Sequence, residues 1–94
     1  MTQYTFYWTN LSFTHQTWAF AHGDSMEIGP GATKEQTATY KTGAVIRVVV
    51  NDLAKATLTL KEGQWEIDAP EYFTYSELEQ LITLSCNYSS DIAA

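Results

Sequence analysis

Two histidines, their acidic neighbours and a single thiol are the first groups in this chain that could do chemistry. His15, His22, Asp24 and Glu27 fall close together and all carry metal-capable atoms. Their spacing matches no ligand pattern, and neither histidine has a second one four residues on, as a helical zinc site requires. His22 shares an extended face with Trp18 and Phe20, where a hydrogen-bonded structural histidine is the expected reading. No metal site is expected. Cys86 is the only cysteine, so an internal disulfide is impossible. A nucleophilic thiol needs a base and a group to orient that base, and nothing local to Cys86 supplies them. It reads as a semi-buried structural thiol in a reducing compartment.

Two pairs of carboxylates, Glu66 with Asp68 and Glu77 with Glu79, have the residue types of a glycosidase acid and base. The first pair falls on the outward face of a strand and the second in the first turn of an expected helix. Both are ordinary places for acids. Gly29-Pro30-Gly31 is a sharp corner rather than a phosphate cradle, because no Lys-Ser/Thr and helix follow it. No nucleophile elbow or deaminase signature is present, and a chain this short has little volume for a deep pocket. The expectation is a protein that is not an enzyme and needs no cofactor.

Charge carries more information. The chain has 94 residues and a formal net charge of −6. From Glu62 onward every charged residue is an acid (Glu62, Glu66, Asp68, Glu71, Glu77, Glu79 and Asp91), whereas all the lysines and the lone arginine lie in the first 61 residues. Direct binding to nucleic acid is disfavoured, since the phosphate contribution needs a basic surface. Acids beside aromatic residues suit a protein partner with a basic surface: the charge steers association and the rings anchor it. The candidate contact residues are Glu62, Glu66, Asp68, Glu71, Glu77 and Glu79, with Tyr72 and Phe73 as anchors. Small inhibitors, immunity proteins and phage-encoded antagonists of host defence enzymes share this physical profile, which is a likeness of charge alone. A second reading is a lipid- or glycan-binding β module that uses exposed aromatics among Tyr4, Tyr7, Trp8, Trp18 and Tyr40.

The elements that must position these groups are mostly strands. The aromatic content is high, threonine is abundant and only 17% of residues are charged, a composition suited to sheets with hydroxyl-bearing outer faces. The central stretch is Ala44 to Val50, apolar on both faces except at Arg47, which reads as a strand covered on both sides. Arg47 is expected to lay its stem over neighbours with its head in water; the sharper alternative pairs it with Glu66 or Asp68. Upstream, Tyr4, Phe6 and Trp8 alternate with polar residues and point inward, and Leu11 with Phe13 starts a second apolar series. Thr33 to Lys41 is nearly all polar and reads as an edge strand, turned by Thr42-Gly43 into a hairpin with the central strand. Ala56, Leu58 and Leu60 face inward, Glu62-Gly63 turns the chain, and Trp65 with Ile67 continues the apolar face until Asp68-Ala69-Pro70 stops it.

Beyond Pro70 the pattern changes to helical spacing. Thr74 to Glu77 fits a capping box, and Leu78, Leu81 and Ile82 follow on one face. The spacing predicts a helix over about 75–84. The fold expected is mainly β: a single domain with an antiparallel curled sheet or small β-sandwich of roughly five to seven strands and one short C-terminal helix. No apolar run reaches the roughly 18 residues of a spanning helix, and Met1 leads straight into alternating Tyr and Thr rather than a leader, so a cytoplasmic location is expected.

Overall fold

A period of two, polar against apolar, governs most of this chain, and each such run becomes a strand. The computed structural model describes residues 2–20, 23–78 and 81–88. Within them lie β1 (Thr2–Asn10), β2 (Gln16–Phe20), β3 (Ser25–Ile28), β4 (Thr33–Tyr40), β5 (Val45–Val50), β6 (Ala54–Lys61), β7 (Gln64–Asp68), β8 (Phe73–Leu78) and β9 (Leu81–Cys86). They form two sheets, one ordered β4-β1-β9-β8 and the other β3-β2-β5-β6-β7. Neighbours are antiparallel except β1 and β9, which run parallel. The buried faces of both sheets close on one core, giving a two-layer β-sandwich.

All three tryptophans sit in that core, and they tie the layers together. Trp8 on β1 lies 5.7 Å from Trp18 and 5.1 Å from Phe20, both on β2. Trp65 on β7 meets Tyr4, Phe6 and Tyr40 edge-on, each at 5.4 Å. Its indole N–H has no conventional acceptor among the described residues. Edge-to-face packing instead sets the positive rims of rings against negative ring faces, worth about 0.5–1.5 kcal/mol per pair beyond area burial. These contacts also fix how the layers overlie one another. The β7 edge lies against β1 and β4, whereas Phe73 on β8 meets Trp18 of β2 at 6.0 Å. The β7 and β8 edges are therefore on opposite sides of the sandwich.

Outside the core the expected hydroxyl face is present. Thr5 and Thr37 are register partners whose hydroxyls are 3.1 Å apart, and Thr9 and Thr33 pair the same way at 2.9 Å. Cross-strand threonine pairs of this kind stabilise an exposed antiparallel ladder. The Glu62-Gly63 turn, both residues at positive φ, joins β6 to β7 as expected.

Several expectations are corrected. The segment read as a helix over about 75–84 is a β-hairpin formed by β8 and β9; Glu79 and Gln80, between them, lie outside the described residues. Ile82, Leu84 and Cys86 alternate inward while Thr83 and Ser85 turn outward, which is the period of a strand. The helical spacing of Leu78, Leu81 and Ile82 was coincidental: Leu78 and Leu81 are exposed. Pairing with both β1 and β8 gives β9 a backbone ladder on each side, which a short helix could not offer β1. Together with the short β3, this raises the count among the described residues to nine strands. Thr42-Gly43 does not make a hairpin, because β4 and β5 belong to different sheets and the chain crosses between layers there. The β5 strand is the middle of its sheet, but only Ile46, Val48 and Val50 are buried; Val45 and Arg47 face solvent, since a two-layer sandwich has no third layer to cover them.

Candidate functional site

The acids of the C-terminal third are divided among several places rather than gathered on one face. Glu62 lies in the β6–β7 turn, and Glu66 points outward from β7 with its carboxylate 3.2 Å from the Lys61 ammonium. Asp68 ends that same strand, opposite Thr57. Glu77 lies on β8, at the other side of the sandwich, and Glu79 lies outside the described residues. Phe73 is buried against Trp18 and is a core residue rather than a surface anchor. Arg47 is exposed in mid-strand, as its plainer reading anticipates. Of the aromatics offered for glycan or lipid contact, Tyr4, Trp8 and Trp18 are buried, whereas Tyr7 and Tyr40 are half-buried.

Two of the candidate residues, Glu71 and Tyr72, do belong to a common feature. They sit in the 69–72 loop, at the end of the sandwich where β1 finishes and β2 begins. Four other segments reach the same end. The Leu11 N–H donates to the Cys86 carbonyl (2.9 Å), and the Asn87 N–H donates to the Tyr72 carbonyl (3.0 Å). The Gly31 N–H donates to the Asn10 carbonyl (2.8 Å), bringing in the 29–32 corner. The 51–53 turn is attached through Thr17, whose N–H donates to Asn51 Oδ1 at 2.9 Å. These loops leave four large apolar side chains in solvent: Leu11, Phe13, Leu53 and Tyr72. Phe13 is 98% exposed. Their charged residues are Asp52 and Glu71, with no lysine or arginine. The Tyr72 ring lies 4.8 Å from that of Tyr88, which fixes its direction.

The loop that carries Phe13 is held from beneath. Asn10 is fully buried, and its amide donates to the carbonyls of Thr14 (2.8 Å) and Ile28 (2.7 Å). Asn10 Oδ1 accepts from the Ser12 N–H at 2.8 Å and from its hydroxyl at 2.7 Å. These four bonds use every donor and acceptor of the asparagine side chain, so the 11–14 bend is clamped at both ends. Gln16 continues the network: it accepts from the Trp18 indole N–H (2.9 Å) and donates to the Tyr88 carbonyl (2.7 Å). The sequence pattern makes Leu11 and Phe13 the start of a second apolar series, yet both are exposed. The signal that could have placed them outside was Asn10-x-Ser12, whose short polar side chains favour a local turn over a strand.

Chemistry has little to work with elsewhere. Cys86 is buried, and desolvation pushes its thiol above the ordinary value, against the smaller lowering effects of the Tyr88 N–H and Gln16. Burial likewise raises the Tyr40 phenol, with a smaller contribution from the Asp24 carboxylate. An open cavity of about 420 Å³ lies at the far end of the sandwich, by Thr2, Tyr40, Lys41 and Gly63; its lining includes no carboxylate, imidazole or thiol. Among the described residues no three His, Cys, Asp or Glu side chains gather as a metal would require, and no helix is long and apolar enough to cross a membrane. Comparison with protein-family models, with curated proteins and with solved structures gave no match. Among the described residues the loop end carries the most exposed large apolar side chain, Phe13.

Proposed function

We propose that this protein is a non-catalytic binding module that holds a protein partner at the loop end of its sandwich, with Phe13 as the central anchor. The observation that carries the reading is a phenylalanine 98% exposed on a bend that a buried asparagine holds rigid. A free phenyl ring in water gains roughly 1.5–3 kcal/mol when a partner buries it. A preorganised loop loses little entropy in the process. Leu11, Leu53 and Tyr72 are further apolar side chains exposed on loops at the same end, and Asp52 with Glu71 give those loops one sign. That sign, with a net charge of −6 over the whole chain, favours a partner with a basic surface. An inhibitor or immunity-type protein that occupies a basic surface is the finer form of this reading, and it rests on the charge balance.

The test is capture of partners from an extract of the source organism by the tagged chain, with Phe13→Ser and Glu71→Lys as variants and Glu66→Lys as control. Phe13→Ser is expected to abolish capture while shifting stability by no more than about 0.5 kcal/mol, because the ring makes little contact with its own protein. Glu71→Lys is expected to weaken capture and Glu66→Lys to leave it intact. Capture that survives Phe13→Ser unchanged would overturn the assignment of this end.

A further inference from the structure

One edge of the sandwich is less guarded than the other three, Glu77 being its one charge. The β3 edge is only 4 residues long, β4 carries Lys34 and Glu35, and β7 carries Glu66 and Asp68. Such devices keep an open strand from pairing with another chain. The β8 edge, Phe73-Thr-Tyr-Ser-Glu-Leu78, has no lysine, no proline and a single acid. Beyond Phe73 all its described residues are exposed, on the inward-facing parity as well as the outward one. Tyr75 is 54% exposed and Leu78 70%. The opposing sheet therefore covers β8 at Phe73 and not beyond it, and among the described residues no strand pairs with the outer edge of β8.

The direction of the free backbone groups says what kind of strand fits. Phe73 is the register partner of Cys86, so Tyr72 falls opposite Asn87. The Asn87 N–H donates to the Tyr72 carbonyl, which makes that pair the hydrogen-bonded kind. Hydrogen-bonded pairs recur every second residue along an antiparallel ladder, so Thr74, Ser76 and Leu78 bond to β9. Phe73, Tyr75 and Glu77 turn their N–H and C=O groups to the outer edge, where no strand among the described residues pairs with them. The Phe73 N–H agrees, since it donates to the Pro70 carbonyl (3.0 Å) rather than to β9.

We infer that β8 is a dimerisation strand, pairing antiparallel with β8 of a second copy of this chain about a two-fold axis at Ser76. In that register Tyr75 of each copy faces Glu77 of the other, and each pair exchanges two N–H···O=C bonds. Every open-edge donor and acceptor of Tyr75 and Glu77 is then satisfied, and the two carboxylates lie opposite tyrosines rather than each other. A register centred on Tyr75 uses the groups less well, because it sets Glu77 against Phe73, whose N–H is already engaged. Thr74 meets Leu78 on the outer face. The two four-stranded sheets become one sheet of eight strands, closed by symmetry, with no free edge left at the junction. The dimer is centred on Ser76 and Phe13 lies on a different loop, so the substitutions that test the dimer and those that test the partner site are separate.

The experiment is sedimentation velocity on the full chain from about 1 to 300 µM, at low and at high salt. A concentration-dependent dimer is expected, tighter at high salt because each copy has a net charge of −6. Glu77→Pro removes one open-edge N–H without touching the β9 ladder and is expected to weaken the dimer at least tenfold. Glu77→Gln keeps that N–H and is expected to dimerise at least as well as the parent. Near-ultraviolet circular dichroism from the three buried tryptophans confirms that each variant is folded; should Glu77→Pro fail to fold, Tyr75→Lys serves in its place. A parent chain that stays monomeric throughout, a dimer indifferent to both disrupting substitutions, or open-ended oligomers would each overturn the inference.

Discussion

At the scale of single residues, the molecule depends on a few buried polar groups that are fully engaged. Gln16 bridges the Trp18 indole to the carbonyls of Cys86 and Tyr88, and so ties the start of β2 to the end of β9. Cys86 lies in the same dry region. Its thiol and the Tyr40 phenol both have pKa values raised by burial. For an acid whose folded pKa lies above its unfolded one, the stabilisation is complete below the unfolded value and disappears as pH climbs through the folded one. The window for Cys86 therefore opens above about pH 8.5, and that for Tyr40 above about pH 10. Melting temperature is expected to hold steady from about pH 7 to 8 and to fall beyond pH 9. Cys86→Ala lowers stability by creating a cavity but is expected to flatten the early part of that fall. Thermal melts of both proteins across this range check it; parallel curves would remove the thiol from the account.

At the scale of elements, turns and edges decide more than the strands do. The β6–β7 turn places Glu62 at φ 50° and Gly63 at φ 82°. A two-residue hairpin with both positions left-handed favours Asn-Gly, and glutamate there carries a conformational cost of about 1 kcal/mol. Glu62→Asn is therefore expected to raise stability by roughly 0.5–1 kcal/mol in a urea titration, with an unchanged slope. The 51–53 turn needs no such repair, since Asn51 and Asp52 are among the residues that tolerate positive φ. At β8 the relevant fact is which way the backbone groups point, and this depends on register rather than composition.

At the scale of the whole molecule, the ends of the chain are structurally inseparable. The β9 strand lies between β1 and β8, so residues 81–86 complete a sheet begun by residues 2–10. A chain truncated after residue 80 loses the buried Ile82, Leu84 and Cys86 and leaves β8 with no ladder partner. Such a truncation is expected to lose the cooperative thermal transition and the near-ultraviolet signal of the tryptophans; a sharp melt in the shortened chain would contradict this. The parallel closure across most of the chain's length also predicts folding on the millisecond-to-second scale of long-range β topologies. What residue order determined by itself was the local alternation: the inward stripe of β1, the edge character of β4, the hairpin at Glu62-Gly63 and the stop at Pro70 all follow from side-chain period and turn chemistry. The hairpin of β8 and β9 escaped because three leucine and isoleucine positions satisfied a helical period by chance. Only tertiary pairing with β1 selects between the two readings. The exposure of Phe13 and the division of the acids between opposite edges were likewise decided by the tertiary structure. Local sequence sets which side chains share a side of a strand, but the number of layers and the order of strands determine which sides are covered and which charges become neighbours.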